Sequence, residues 1–231
     1  MVDHERLIAE ARRIYLRYAT EVVEGLGFCP WAREAREQGR VAVEVIVGAE
    51  LAPTDALPVL AGLSEQTDIG LLVFPELTLD RMAFARFTAA LREADGERLG
   101  RGHTAFALAD FHPNAPAILD SPERLIPFIR RSPDPTIQCV RRSALDAVRL
   151  GDGGGTTFVD PATFAKGLED LEASVEPLNR RVARANLRTV EREGLAAVEA
   201  RLSDIRRDRD ASYARLGLPL PPWSAGAADS V

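Results

Sequence analysis

Cys29 stands directly before a proline, in the stretch Gly27-Phe28-Cys29-Pro30-Trp31-Ala32, with Arg33 and Arg36 close behind. A thiol capping a short helix whose first residue is Pro30 would feel the positive end of that helix. The two guanidiniums, one and two turns on, would further favour the thiolate, the form of cysteine that acts as nucleophile or redox group. Trp31 flanks the sulfur and is counted with the residues that would contact a substrate. Thioredoxin-like proteins also present a Cys-Pro pair at a helix start. They place it after a strand, however, whereas here a helix pattern precedes it, and Ala32 stands where an adjacent resolving cysteine would be needed. The competing reading is a small buried hydrophobe beside Trp31, the usual role of a free cysteine.

Two more groups could complete such a site. His112 follows a strand pattern and precedes Pro113, which restricts it to extended backbone. Asp110 lies two residues back, on the same side of an extended chain, where it could orient the imidazole as a base. The same pair could supply two metal ligands, too few for a metal site on their own. In Arg131-Ser132-Pro133-Asp134-Pro135-Thr136 two prolines stiffen a loop. That loop would hold Arg131, with Ser132 beside it, as a fixed fork for a carboxylate or phosphate. An arginine tied to Asp134 or to a helix end is the competing reading. Arg180, Arg184, Arg188 and Arg192 form one helical stripe, read as a solvated face. Asn186 and Thr189 lie beside it and could line a pocket. Cys139 reads as core.

These residues need a scaffold. The chain has 231 residues, 46% hydrophobic and 28% charged, which reads as a folded globular protein. The apolar runs are short for a membrane span, and the charged start has no signal-peptide core. A net charge of −6 argues against nucleic acid as partner, and two cysteines make no disulfide framework, so a reducing cytoplasm is the default. Lys166 is the only lysine; every other cation is arginine. Residues 151–155 are glycine-rich but lack the Gly-Lys-Ser/Thr ending of a phosphate-binding loop. No motif implies a cofactor.

The hydrophobic spacing predicts an amphipathic helix over residues 3–24, ended by Gly25 and Gly27. Strands are expected over 41–47, 69–74, 103–109 and 136–140, the second buried on both faces. Helices should fill the gaps: one from Thr54 or Asp55 to Leu63, one capped by Thr78, and one starting at Ser121-Pro122. Asp160-Pro161 opens a helical region that Pro177 divides, with its second part running to about Arg209. The alternation indicates an α/β fold: helices layered on a roughly four-stranded parallel or mixed sheet, with a long C-terminal helix. A ferredoxin-like α+β arrangement is the alternative.

Three stretches agree, in order and spacing, with a known family. Gly-Phe-Cys-Pro-Trp-Ala, Phe-His-Pro and Arg-Ser-Pro-Asp-Pro-Thr, with Ala185-Asn186-Leu187-Arg188-Thr189-Val190-Glu191 behind them, resemble the bacterial family called domain of unknown function 1415. The family usually carries Phe at the position of Trp31, and it is acidic and aromatic where this chain reads Asn114-Ala115-Pro116-Ala117-Ile118-Leu119. The resemblance covers about residues 5–193 and implies that Cys29, His112 and Arg131 share one site; it names no reaction.

The expected organisation is one α/β domain over 1–193, a helical extension over 194–216 and a proline-rich tail over 217–231 that is mobile or docked only by Trp223. Residues 1–193 should then fold alone. The apolar stripe from Leu195 to Ile205 must be covered by the domain, giving a monomer, or by a second copy, giving a homodimer. The functional expectation is a small-molecule enzyme. Cys29 would be nucleophile or redox thiol, His112 the base, Asp110 its orienter, and Arg131, Ser132, Asn186 and Trp31 the contacts to an anionic substrate. The alternatives are a non-catalytic module holding an anion through Arg131 and Asn186, with Cys29 only packing, or a metal-binding protein.

Overall fold

A computed structural model describes residues 3–100, 104–151 and 178–224. The chain begins with α1 (His4–Arg17), whose N-terminus is capped by Asp3 accepting from the Arg6 amide. Leu7, Ala11, Ile14 and Tyr15 form its buried stripe. The expected single helix to Glu24 is not uniform: Tyr18–Glu24 widens into π-helical turns. The Thr20 hydroxyl donates to the Leu16 carbonyl at 2.8 Å and competes with the normal backbone bond there. Gly27 then turns the chain at φ 69°.

After α2 (Ala32–Glu37), strands and helices alternate. β1 (Val41–Val45), a 3-10 turn (Pro53–Ala56) and α3 (Leu57–Ala61) lead to β2 (Ile69–Val73). Then come α4 (Arg81–Leu99), β3 (Phe106–Phe111), α5 (Pro122–Ile129), β4 (Thr136–Arg141) and α6 (Arg142–Gly151). The last helices are α7 (Leu178–Glu193) and α8 (Leu195–Arg215), parted by Gly194 at φ 84°. Ser121 and Pro122 start α5 as expected. α4 is capped by Asp80, not Thr78: the carboxylate accepts from the Ala83 amide at 2.8 Å. β3 ends two residues later than expected, so Asp110 lies within the strand; His103 lies outside the described residues. So do the glycine-rich loop beyond Gly151, the stretch opened by Asp160-Pro161 as far as Pro177, and the tail beyond Ser224.

The sheet has the order β1-β2-β4-β3, with β1 and β2 parallel and β4 antiparallel to both of its neighbours. A helix separates every pair of consecutive strands, so the central hairpin of a ferredoxin-like fold is missing and the mixed α/β architecture holds. The register aligns Val45, Val73, Thr136 and Phe111 across one edge. β1, β2 and β3 therefore end where β4 begins, and His112, Pro75 and Asp134 lie at or next to that edge.

Each face of the sheet has its own core. Leu72, Phe74, Leu108, Ile137 and Cys139 meet Phe84, Phe87 and Leu91 of α4 and Leu60 of α3. On the other face Leu71, Val73 and Phe111 meet α1, α5, α7 and α8 through Leu7, Ile14, Phe128, Val190, Val198, Leu202, Ile205 and Tyr213. α8 thus belongs to the main core, and the expected boundary after Glu193 is no boundary in the packing. The stripe that was to require a cover is covered by α1 of the same chain. Asp208 strengthens that contact, taking two bonds of 2.8 Å from Arg13 and one of 2.6 Å from Arg17. The tail is docked as far as Ser224: Leu218, Trp223 and Ser224 are all buried.

Candidate functional site

Cys29 does not cap a helix. α2 starts at Ala32 with Trp31 as its N-terminal flank, so the sulfur lies ahead of the helix in a half-buried turn. Burial pushes the thiol up. The Trp31 and Ala32 backbone amides favour the thiolate and pull the other way, and the nearby charge of Glu24 adds to the rise. The arginines expected to favour a thiolate are turned to Glu24. Arg36 Nε lies 2.7 Å from its Oε1 and Arg33 Nε 3.7 Å from its Oε2, and the Glu24 side chain is 4% exposed. These surroundings favour the thiol over the expected thiolate, with Glu24 held between the two arginines. Trp31 is half-buried beside it.

His112 is buried and both ring nitrogens are engaged. The Asn114 amide donates to Nδ1 at 3.1 Å, so Nδ1 is an acceptor, and Nε2–H donates to the Leu79 carbonyl at 3.0 Å. Phe84 lies 6.0 Å away and Trp223 meets the ring edge-on at 5.1 Å. Burial lowers the imidazole pKa; the Leu79 carbonyl and the charges of Asp80 and Asp110 raise it, Arg81 lowers it, and burial wins. The charge of Asp110 acts on His112, but the ring's two bonds go to backbone groups and neither goes to Asp110 or Cys29. The expected thiolate–imidazolium pair is thus not what these bonds form.

Arg131 is also engaged: Nε donates to the Ala115 carbonyl, Nη1 meets Glu199 at 3.3 Å, and the guanidinium lies over Phe128. Ser132 is buried and donates to the Asp134 carbonyl within its own loop. Asp134 is completely buried and binds Arg209 Nε at 2.9 Å and the Tyr213 hydroxyl at 2.8 Å, so this acid serves the fold. Asn186 is 4% exposed on α7, and Thr189, one turn on, is buried on the same face. Neither side chain has a hydrogen bond among the described residues. Their helix packs on α5.

The arginine that spacing passed over is Arg130, at the C-terminus of α5. Its guanidinium lies 5.3 Å from the Phe111 ring centroid. It has no hydrogen bond or ion pair among the described residues. Burial pulls its pKa down, and the charge of Asp110 works the other way without overcoming it. The doublet Arg130-Arg131 shows that a cation stands here; which of the two remains free depends on Glu199 in α8, 68 residues away.

Among the described residues no group of three His, Cys, Asp or Glu side chains could hold a metal ion, and no helix is long and apolar enough to cross a membrane. What remains is a mixed α/β domain in which His112 and the loop that follows Arg131 lie at one end of the sheet. The profile of the family described as protein of unknown function (DUF1415) matches residues 11–150, and the chain belongs to that family. The match takes in Cys29, His112 and the loop of Arg131, and leaves out α7, α8 and the docked tail. No curated protein and no solved structure matches the chain.

Proposed function

We propose that the protein is a binding module for a small anionic ligand, with Arg130 as its anchor. The observation that carries this reading is the state of Arg130: a cation drawn partly out of water, held on an aromatic face, and given no hydrogen bond or ion pair among the described residues, although the charge of Asp110 acts on it. Partly desolvating a charge without a partner is unfavourable, and an incoming anion removes that penalty. A guanidinium fork suits a carboxylate or phosphate. Asn186 and Thr189, with unused polar groups on the helix packed against α5, would supply neutral hydrogen bonds to the same ligand. Arg131, tied to Ala115 and Glu199, is a positioning residue in this reading and not the anchor.

The test is a thermal-shift screen with phosphate, pyrophosphate, citrate and adenosine triphosphate. A ligand at 100 times its Kd stabilises the fold by about 2.7 kcal/mol. One of these anions should raise Tm, the Arg130→Ala variant should lose that response, and Cys29→Ala should keep it. No response to any anion, or a response that survives Arg130→Ala, refutes the proposal.

A second reading keeps Cys29 as a reactive thiol, because the nearby Trp31 and Ala32 backbone amides favour its thiolate. It needs a partner that draws Glu24 away, and it is the weaker reading while Glu24 stays beside the thiol.

A further inference from the structure

Residues 218–224 cross the edge of the sheet where His112 sits. Leu218, Pro221, Trp223 and Ser224 are buried, while Pro219, Pro222 and Leu220, the last 52% exposed, are bare, so buried and exposed residues alternate along the segment. Pro219, Pro221 and Pro222 have no amide hydrogen to give a ladder, so the segment is held by a few separate contacts. The Leu218 amide donates to the Tyr213 carbonyl at 3.0 Å, and the Ser224 amide to the Pro221 carbonyl at 2.9 Å. Ser224 Oγ donates to Asp210 at 2.6 Å. Arg206 spans the joint: Nη2 donates to the Pro113 carbonyl at 2.6 Å and Nη1 to the Trp223 carbonyl at 3.4 Å. The Trp223 ring meets His112 edge-on, and His112 is 2% exposed.

One detail separates this docking from ordinary core packing. The Trp223 indole N–H is buried and meets no acceptor among the described residues. Leaving such a donor unsatisfied is unfavourable, and the closed position bears that cost while an open one in water does not. Few hydrogen bonds and an unsatisfied donor mark a segment of low local stability. The prolines keep the released segment extended, so little chain entropy opposes its return. The residues it covers lie within the family match at 11–150, whereas the segment lies outside it.

We propose that residues 218–224 are a strap that closes over His112 and opens as a local unit while the domain stays folded. Opening bares the imidazole and frees one arm of Arg206, turning a sealed edge of the sheet into an accessible, cationic one. The strap does not depend on the ligand reading above.

Amide hydrogen exchange on the full chain tests it. The Leu218 and Ser224 amides should be protected, yet exchange at least about 100-fold faster than the Val198 and Leu202 amides of α8, because local opening needs less free energy than global unfolding. Ser224→Ala removes one clasp and should speed the strap amides about five- to ten-fold, the usual worth of one hydrogen bond, with Leu202 unchanged. In a Trp31→Phe background, where Trp223 is the only tryptophan, acrylamide quenching should rise on the same substitution. Strap and core amides that exchange at one rate and respond together would mean that the strap opens only when the domain unfolds. Strap amides as fast as in a free peptide would mean that it never closes. Either result overturns the proposal.

Discussion

Arg209 of the last helix meets Asp134 of the Arg-Ser-Pro-Asp-Pro loop at 2.9 Å, with side chains 2% and 1% exposed. The same guanidinium donates to the Pro75 carbonyl at 3.0 Å and to Asp210 at 3.0 Å, and lies over the Tyr213 ring. One side chain thus ties α8 to the ends of two strands. Burial works against its charge as the largest single influence, but Asp134, Tyr213 and Asp210 together outweigh it and hold the net pKa up.

Removing Arg209 should therefore be severe. Arg209→Ala leaves the buried Asp134 side chain with only the Tyr213 hydroxyl, and breaking a buried pair in this way costs about 3–5 kcal/mol. Urea denaturation with the m-value unchanged is the measurement. A loss under about 1 kcal/mol, the range of an exposed pair, would show that water reaches Asp134.

The fold class, the four strands and the order of the helices were legible in the sequence because hydrophobic period records burial directly. The apolar run at β2 is central, and the stripe of α1 is buried as its spacing required. The partners of charged residues were not legible. Arg33 and Arg36 could as well have served Cys29, yet they close on Glu24; Arg131 could as well have been free, yet Glu199 and Ala115 hold it. Ion pairing is decided by side chains brought together from across the chain, and no local spacing encodes it. The same holds for Trp223, whose contact with His112 spans more than 100 residues.

The packing of α8 makes a second prediction, the reverse of the one that a boundary after Glu193 suggests. Residues 1–193 should not fold, since truncation strips Val198, Leu202, Ile205 and Tyr213 from the core and leaves Asp134 without its ion pair. Each such buried side chain is worth about 1.5–3 kcal/mol, so four together rival the whole stability of a domain. Circular dichroism and sizing of the truncated chain decide the matter; a monomer with a cooperative melt would restore the helix to the status of an extension.

His112 gives a pH prediction. Its folded pKa lies below the ordinary imidazole value because burial disfavours the cation. Above about pH 6.5 both states are neutral and the group contributes no pH dependence. As pH falls below that value the unfolded chain takes up a proton that the fold refuses, so stability declines, at most about 1.4 kcal/mol per pH unit from this one group. Asp208 acts lower down: Arg13, acting against burial, and then Arg17 depress its pKa, so its contribution is lost only below the ordinary carboxylate range. Denaturation midpoints at pH 7, 6 and 5 should fall for the natural chain and stay nearly level for His112→Gln. Equal slopes in both would move the titration to another residue.

Cys29 should react slowly, and Glu24 is the reason that can be changed. Iodoacetamide labelling followed by peptide mapping should place the half-reaction pH of Cys29 above the ordinary thiol value of about 8.5. Cys139, buried in β4 and pushed up to about 12, stays unlabelled and serves as the internal control. Glu24→Gln removes a negative charge beside the sulfur and releases Arg33 and Arg36 from their ion pairs. Both changes favour the thiolate, while the Trp31 and Ala32 amides remain to receive it. The half-reaction pH should then move down, toward or below the free-thiol value. A midpoint that Glu24→Gln leaves in place would mean that burial alone sets it, and Cys29 would then be a packing residue with no latent chemistry.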